Sequence, residues 1–147
     1  CGQRGCLEAY ASGTAIAHFV RDELRKGRRS KIERWVRAKK EITAEILALA
    51  AAKRDTLALE AFRSAGYYLG LGLANLINLI NPEMILLGGG VMKSSRYLWP
   101  EMQASVRHHA WPSLYRACRI VKTSLGERVG DLGTLALVFA RDCFEEI

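Results

Sequence analysis

The chain has 147 residues, half of them hydrophobic and a quarter charged, with a formal net charge of +7 at pH 7. That is enough chain to bury one core, and the composition excludes a disordered segment. No apolar run reaches the roughly 18 residues of a membrane span; the longest, Leu69 to Ile80, is interrupted by Gly70, Gly72, Asn75 and Asn78.

No initiator Met and no signal-peptide pattern opens the chain, which therefore reads as a fragment. Its first residues are Cys1-Gly2-Gln3-Arg4-Gly5-Cys6-Leu7-Glu8. The glycines let a short knuckle turn tightly enough for both sulfurs to face one metal ion. A structural zinc needs two further ligands, and the sequence offers none nearby, so half a metal site is expected here.

Ser12-Gly13-Thr14 starts a helix with Ile16, Phe19, Val20 and Leu24 on one face and Gly27 at its end. Ser30-Lys31-Ile32-Glu33 is a capping-box pattern for a short basic helix whose apolar side is Ile32, Trp35 and Val36. Thr43 caps a third helix reaching about Lys53, and Asp55 caps the longest, reaching about Ile80. The stripe of that helix is Phe62, Ala65, Leu69, Leu73, Leu76 and Ile80, and past Leu69 it is apolar nearly all round, which predicts a central, buried helix. Gly66, Gly70 and Ala74 form a small-residue groove for another backbone, and Asn81-Pro82 stops the helix.

The period then changes. Met84-Ile85-Leu86-Leu87 is a continuous apolar run, which predicts a strand covered on both faces. It ends in Gly88-Gly89-Gly90, followed by a helix from about Ser95 to His109 and a strand from Arg119 to Thr123. A glycine-rich loop leads to a last helix carrying Leu132, Leu135, Ala136, Phe139 and Cys143 on one face. Strand, helix, strand, helix is a parallel α/β unit. Two strands make no stable sheet alone, so further strands are expected from a preceding part of the protein.

Nine lysines and arginines lie between Arg25 and Lys40. With no aromatic platform interleaved beyond Trp35, the segment reads as a solvated charged face and not as a nucleic-acid patch. The irregular spacing of Cys1, Cys6, Cys118 and Cys143 points to a reducing compartment, with Cys118 and Cys143 in buried structural roles. His18, His108 and His109 read as ordinary surface or packing histidines, since adjacent helical residues point some 100° apart.

Glycines at the carboxyl end of a buried strand allow a nucleotide to lie against bare backbone. The triplet fits neither a Rossmann fingerprint, which wants glycine where Lys93 stands, nor a Walker loop. A tight turn and a nucleotide loop both remain open for it. Gly126, Gly130 and Gly133 read as structural turn and packing positions. Glu8, two residues past a candidate metal ligand, is either a rigidly held partner for sugar hydroxyls or a solvated glutamate at a helix start.

Taken together, these segments resemble one family. Cys1 to Glu8 followed by Ser12-Gly13 looks like the zinc signature of the ROK family (repressors, open reading frames and sugar kinases). Asn81-Pro82-Glu83 leading to Leu87-Gly88-Gly89-Gly90-Val91 resembles its approach to an adenosine-binding loop, and Leu125-Gly126 with Gly130 and Gly133 resembles its closing segment. The resemblance implies an α/β fold, the C-terminal lobe of an actin/hexokinase-like (ribonuclease H-like) ATPase, helix-rich with a short parallel sheet. Residues 1–147 are expected to form an incomplete lobe: 1–8 a partial zinc knuckle, 9–80 a helical part, and 81–147 the strand-helix-strand-helix part on the nucleotide side.

It further implies that Cys1 and Cys6 are two of four zinc ligands, that Glu8 contacts the sugar, and that Gly88, Gly89 and Gly90 lie against the adenosine of ATP. The catalytic aspartate and first phosphate loop would belong to the other lobe. The expected activity is an ATP- and Mg²⁺-dependent hexose kinase, glucokinase-like and cytoplasmic, with this fragment inactive alone. Its partners would be hexose and ATP, a second copy in a dimer, and no membrane. The alternatives are a sugar-responsive repressor, which would add nucleic acid as a partner, and a non-catalytic dimerisation module.

Overall fold

The computed structural model describes residues 5–34 and 41–139. In chain order it contains helices α1 (Glu8–Ala11), α2 (Gly13–Arg25), α3 (Ala44–Ala52) and α4 (Thr56–Ile80), then strand β1 (Met84–Leu87). A 3-10 turn (Gly90–Ser94) leads into α5 (Ser95–His109) and α6 (Pro112–Ala117). Strand β2 (Arg119–Lys122), a second 3-10 turn (Gly126–Arg128) and α7 (Val129–Phe139) follow. The short α6 has no counterpart in the sequence pattern, whereas α1 puts Glu8 at a helix start, one of the two readings open for it.

The expected caps are in place. Ser12 Oγ accepts from the Ala15 N–H at 3.1 Å, Thr43 Oγ1 from Ile46 at 3.4 Å, and Asp55 Oδ1 from Ala58 at 2.9 Å. Each satisfies a donor that the first helical turn leaves open. Asn81 ends α4 in the left-handed conformation, φ +50°. The capping box at Ser30 forms by half. Glu33 Oε1 accepts the Ser30 N–H at 3.0 Å, while Ser30 Oγ donates to Asp55 at 2.9 Å and accepts from Ile32 at 3.1 Å. Ile32 is fully buried; Trp35 and Val36, the rest of the expected apolar side, lie outside the described residues.

α4 is the axis of the structure. Its first three turns bury Leu57, Ala58, Ala61, Phe62 and Ala65 against Ile16 and Val20 of α2, Leu47 and Ala50 of α3, and Leu98 of α5. Its later part joins a second cluster, Leu73, Ala74 and Ile77 with Met102, Val106, Ala110 and Cys118. Cys118 is buried as expected, and burial pushes its thiol pKa up.

The small-residue groove is occupied by α5. A Cβ at Gly66 would meet the Leu98 carbonyl oxygen, and one at Gly70 would lie 2.5 Å from the Met102 carbonyl oxygen. Only side chains without a Cβ let the two backbones approach so closely.

β1 and β2 pair in parallel, Met84 opposite Arg119 through Leu87 opposite Lys122. The intervening chain folds back over one face of this pair, with Ile85, Leu87 and Ile120 against the second cluster. Three expectations are corrected here. β1 is not covered on both faces: its residues alternate, and Leu86 is 66% exposed, because the described chain supplies one layer of cover. The stripe of α4 does not run to Leu76 and Ile80; the buried register shifts to Leu73, Ala74 and Ile77, leaving Leu76 and Ile80 exposed. The predicted spacing keeps to one face of a helix with 3.6 residues per turn, but the neighbours change side along it: Met102, Val106 and Cys118 cover Leu73, Ala74 and Ile77. The last helix does not pack its apolar face, since Leu132 and Leu135 are exposed and Cys143 lies outside the described residues.

Candidate functional site

A concave feature that joins glycine turns to cations lies at the carboxyl ends of the two parallel strands. β1 hands the chain to Gly88-Gly89-Gly90, where Gly89 takes φ +95° and ψ 173°. That backbone conformation is strained for any side chain, so the turn requires glycine there. The Gly89 carbonyl accepts the Met92 N–H at 3.1 Å, and buried Met92 fixes the following 3-10 turn to the core. A Cβ built on Gly89 or Gly90 meets nothing within 4 Å, so space is open above the loop.

β2 delivers a second turn beside the first. Thr123 N–H donates to the Leu87 carbonyl at 2.9 Å, extending the strand pairing, and Thr123 Oγ1 accepts the Leu125 N–H at 3.2 Å. Gly126 then takes φ +59°. Gly88, Gly89, Lys93, Lys122, Thr123 and Gly126 line one small cleft of about 80 Å³. Lys122 Nζ reaches Ser95 Oγ at 3.3 Å, which holds the ammonium over the start of α5. Nearby, the Glu45 carboxyl is held below the usual range, first by its hydrogen bond with Thr43 and to a lesser degree by the positive field of Lys93. Two bare turns and two cations are suited to an anionic ligand that lies flat on backbone.

The residues at the amino end fall elsewhere. Glu8 opens α1 and is exposed, and Cys6 just before it is half-buried. α1 is seated on α4, with Leu7 filling the space above Gly72 and the Tyr10 ring 4.5 Å from that of Tyr68. Neither Glu8 nor Cys6 lines the glycine cleft. The link between the two segments is Gly13, whose missing Cβ would lie 3.6 Å from Val91 Cγ2 and 3.4 Å from Ala44 Cβ. The start of α2 is thereby packed against the residue that follows the triple glycine.

Cys1 lies outside the described residues. Among the described residues no three His, Cys, Asp or Glu side chains gather into a group able to hold a metal. They do not fit a zinc centre, which takes four ligands in its structural form. No helix among them is long and apolar enough to cross a membrane.

Lys93, Lys122 and Thr123 were not singled out from the sequence, and Gly126 was read there as a turn. Their role depends on the pairing of Leu87 with Lys122, which sets the two strand ends side by side. One signal was available: both glycine turns follow predicted strands, and parallel neighbours end on the same edge.

Comparison with known proteins bears on this arrangement. The ROK family model matches residues 1–141. The glucokinase of Thermotoga maritima is 31% identical over 141 residues, 96% of this chain and 44% of that protein. The DNA-binding transcriptional dual regulator NagC of Escherichia coli is 30% identical over 138 residues, 94% of this chain and 32% of the regulator. A ROK family glucokinase from Streptomyces griseus, solved in complex with glucose and AMPPNP, superposes with a TM-score of 0.71 at 25% identity, covering 88% of this chain and 43% of that one. The chain spans less than half the length of these relatives. The fold is that of the actin/hexokinase-like sugar kinases, in a helix-rich portion with a short parallel sheet.

Proposed function

This chain belongs to the ROK family, and we propose that it is the C-terminal lobe of an ATP-dependent hexose kinase of the glucokinase kind. The convergence of Gly88, Gly89 and Gly126 with Lys93 and Lys122 on one cleft at the strand ends carries this reading. In it, Gly88, Gly89 and Gly90 lie against the adenosine of ATP. Lys93 and Lys122 favour the phosphate side, and Glu8 hydrogen-bonds sugar hydroxyls.

Phosphoryl transfer needs placed phosphates, Mg²⁺ and an oriented hydroxyl nucleophile. Under this reading the base that takes the hydroxyl proton belongs to the N-terminal lobe, so the 147-residue chain alone turns over no substrate. No step passes through zinc. Under this reading the protein works in the cytoplasm, where ATP is supplied and thiols such as Cys118 stay reduced.

A repressor reading is favoured by one observation: the regulator NagC is nearly as similar to this chain as the glucokinase is. Calorimetric titration of the full-length protein with AMPPNP and with glucose tests the two. In a kinase, Gly89→Val weakens the nucleotide strongly and glucose little, while Glu8→Ala does the reverse. Glucose binding without nucleotide binding, together with sugar-dependent binding to duplex DNA, replaces the kinase with the repressor.

A further inference from the structure

The cations from the end of α2 onward divide into two groups. Arg25 pairs with Asp22 at 3.3 Å, Lys26 with Glu23 at 2.7 Å, and Arg28 with Glu23 at 3.1 Å and Glu60 at 2.7 Å. These charges are neutralised on the surface. Past them the pattern reverses. Arg29, Lys31 and Arg34 line a cavity of about 650 Å³ together with Lys53 and Arg54. Among the described residues no carboxylate forms an ion pair with Arg29, Arg34 or Arg54.

The two carboxylates that line the same cavity are engaged in building it. Asp55, 3% exposed, accepts from Ser30 Oγ at 2.9 Å, the Lys31 N–H at 2.8 Å and the Ala58 N–H at 2.9 Å. It ties the loop before residue 34 to the start of α4. Glu33 accepts the Ser30 N–H, and Lys31 Nζ donates to the Lys53 carbonyl at 2.7 Å. The loop is therefore pinned before any ligand arrives.

Arg54 is the first residue past the Lys53 cap of α3, and its φ of +56° is the left-handed conformation of a helix C-terminal cap in which the Asp55 N–H returns to the Ala50 carbonyl at 3.0 Å. Its N–H is held by the Ala51 carbonyl at 2.9 Å, which fixes where its side chain leaves the chain.

We propose that this cavity is a binding site for a small phosphorylated metabolite, separate from the glycine cleft, with which it shares no lining residue. Arg29, Arg34 and Arg54, with Lys31 beside them, outnumber the two committed carboxylates in one concavity. Guanidinium forks match phosphoryl oxygens in geometry as well as in charge. The volume lies in the range of small-molecule sites. The concave shape, and a lining with no aromatic side chain among the described residues, favour a compact anion over a nucleic-acid strand.

The test is calorimetric titration of the 147-residue chain at low salt with inorganic tripolyphosphate, which carries phosphoryl groups and no base or sugar. Wild type is expected to bind one tripolyphosphate per chain. Arg29→Ala and Arg54→Gly are each expected to weaken binding at least about tenfold, about 1.4 kcal/mol. Glycine is chosen at position 54 because it keeps the left-handed backbone without strain, and a melting curve of each variant confirms the fold. Lys26→Ala removes an equal charge from a neutralised pair and is expected to change affinity by less than about twofold. Absence of saturable binding, or equal weakening in Lys26→Ala, overturns the site. Tighter binding of a short DNA duplex that displaces tripolyphosphate overturns the small-ligand assignment.

Discussion

α4 passes through two environments, and its two ends behave as parts of different surfaces. From Leu57 to Ala65 it is enclosed by α2, α3 and α5, and Phe62 is fully buried. Beyond Ile77 the same helix shows Leu79 at 84% and Ile80 at 65% exposure. β1 and α7 share this character, with Leu86, Leu135, Leu137 and Val138 all more than half exposed. The helical side thus closes its own core, while the sheet side presents apolar residues in number. Scattered exposed leucines such as Leu49 are ordinary; grouping on successive elements marks a face built for cover. The difference shows that one chain can carry a finished core and an unfinished one on a single helix.

The sharpest way to break this comparison uses two leucines of α4. Leu73→Asp should abolish folding, because an unpaired carboxylate in the second cluster costs several kcal/mol, comparable to the stability of a small domain. Leu79→Asp should leave the thermal melt, followed by circular dichroism, almost unchanged. Equal losses would mean that the end of α4 is as closed as the second cluster just before it.

Next in size is the α4–α5 contact. Gly70→Val would drive a side chain into the Met102 carbonyl and Ser105, and should cost about 1–3 kcal/mol in urea denaturation. Gly90→Ala, with open space around its position, should cost well under 1 kcal/mol on the same measurement, about the scale of neutral surface changes.

Asp55→Ala follows. It removes the α4 cap and leaves the Lys31 and Ala58 N–H groups without their acceptor, for a loss of about 1–2 kcal/mol. Because the same carboxylate pins the loop, hydrogen exchange at residues 30–33 should quicken more than exchange within α5. Uniform quickening would show that Asp55 acts only through global stability.

The smallest effect is electrostatic. The Glu60 carboxyl is held below its usual range by the hydrogen bond from Arg28, and that of Glu23 by Lys26 and then Arg28. A carboxyl whose folded pKa is depressed stabilises the fold above its unfolded value and loses that contribution as pH falls through the folded value. Wild type should therefore melt slightly above Arg28→Ala at neutral pH, and the two curves should converge once the pH drops well below 4.5, the ordinary carboxyl value. A constant gap across the acid range would attribute the Arg28 effect to packing.

Much of the helical side was legible in the sequence because its signals are local. Ser12, Thr43 and Asp55 cap helices through bonds spanning three residues, and Gly27 and Asn81 end them through backbone conformations open to few residue types. The groove of Gly66 and Gly70 announced a close neighbour without naming it. The glycine turn at Gly88 to Gly90 and the family signature were legible for the same reason.

What the sequence by itself determined was where elements begin, end and turn, since those choices are made by bonds within a few residues. Tertiary structure decided which apolar face is covered, which is why Ile77 is buried and Ile80 is not. It decided that Gly126, Lys93 and Lys122 join Gly88 and Gly89, through a parallel register set by residues some thirty-five positions apart, Leu87 and Lys122. It also separated the neutralised arginines from those that line a cavity, because carboxylate partners such as Glu60 come from another helix. Burial and charge pairing depend on non-local neighbours, and neighbours are assigned only once the chain has packed.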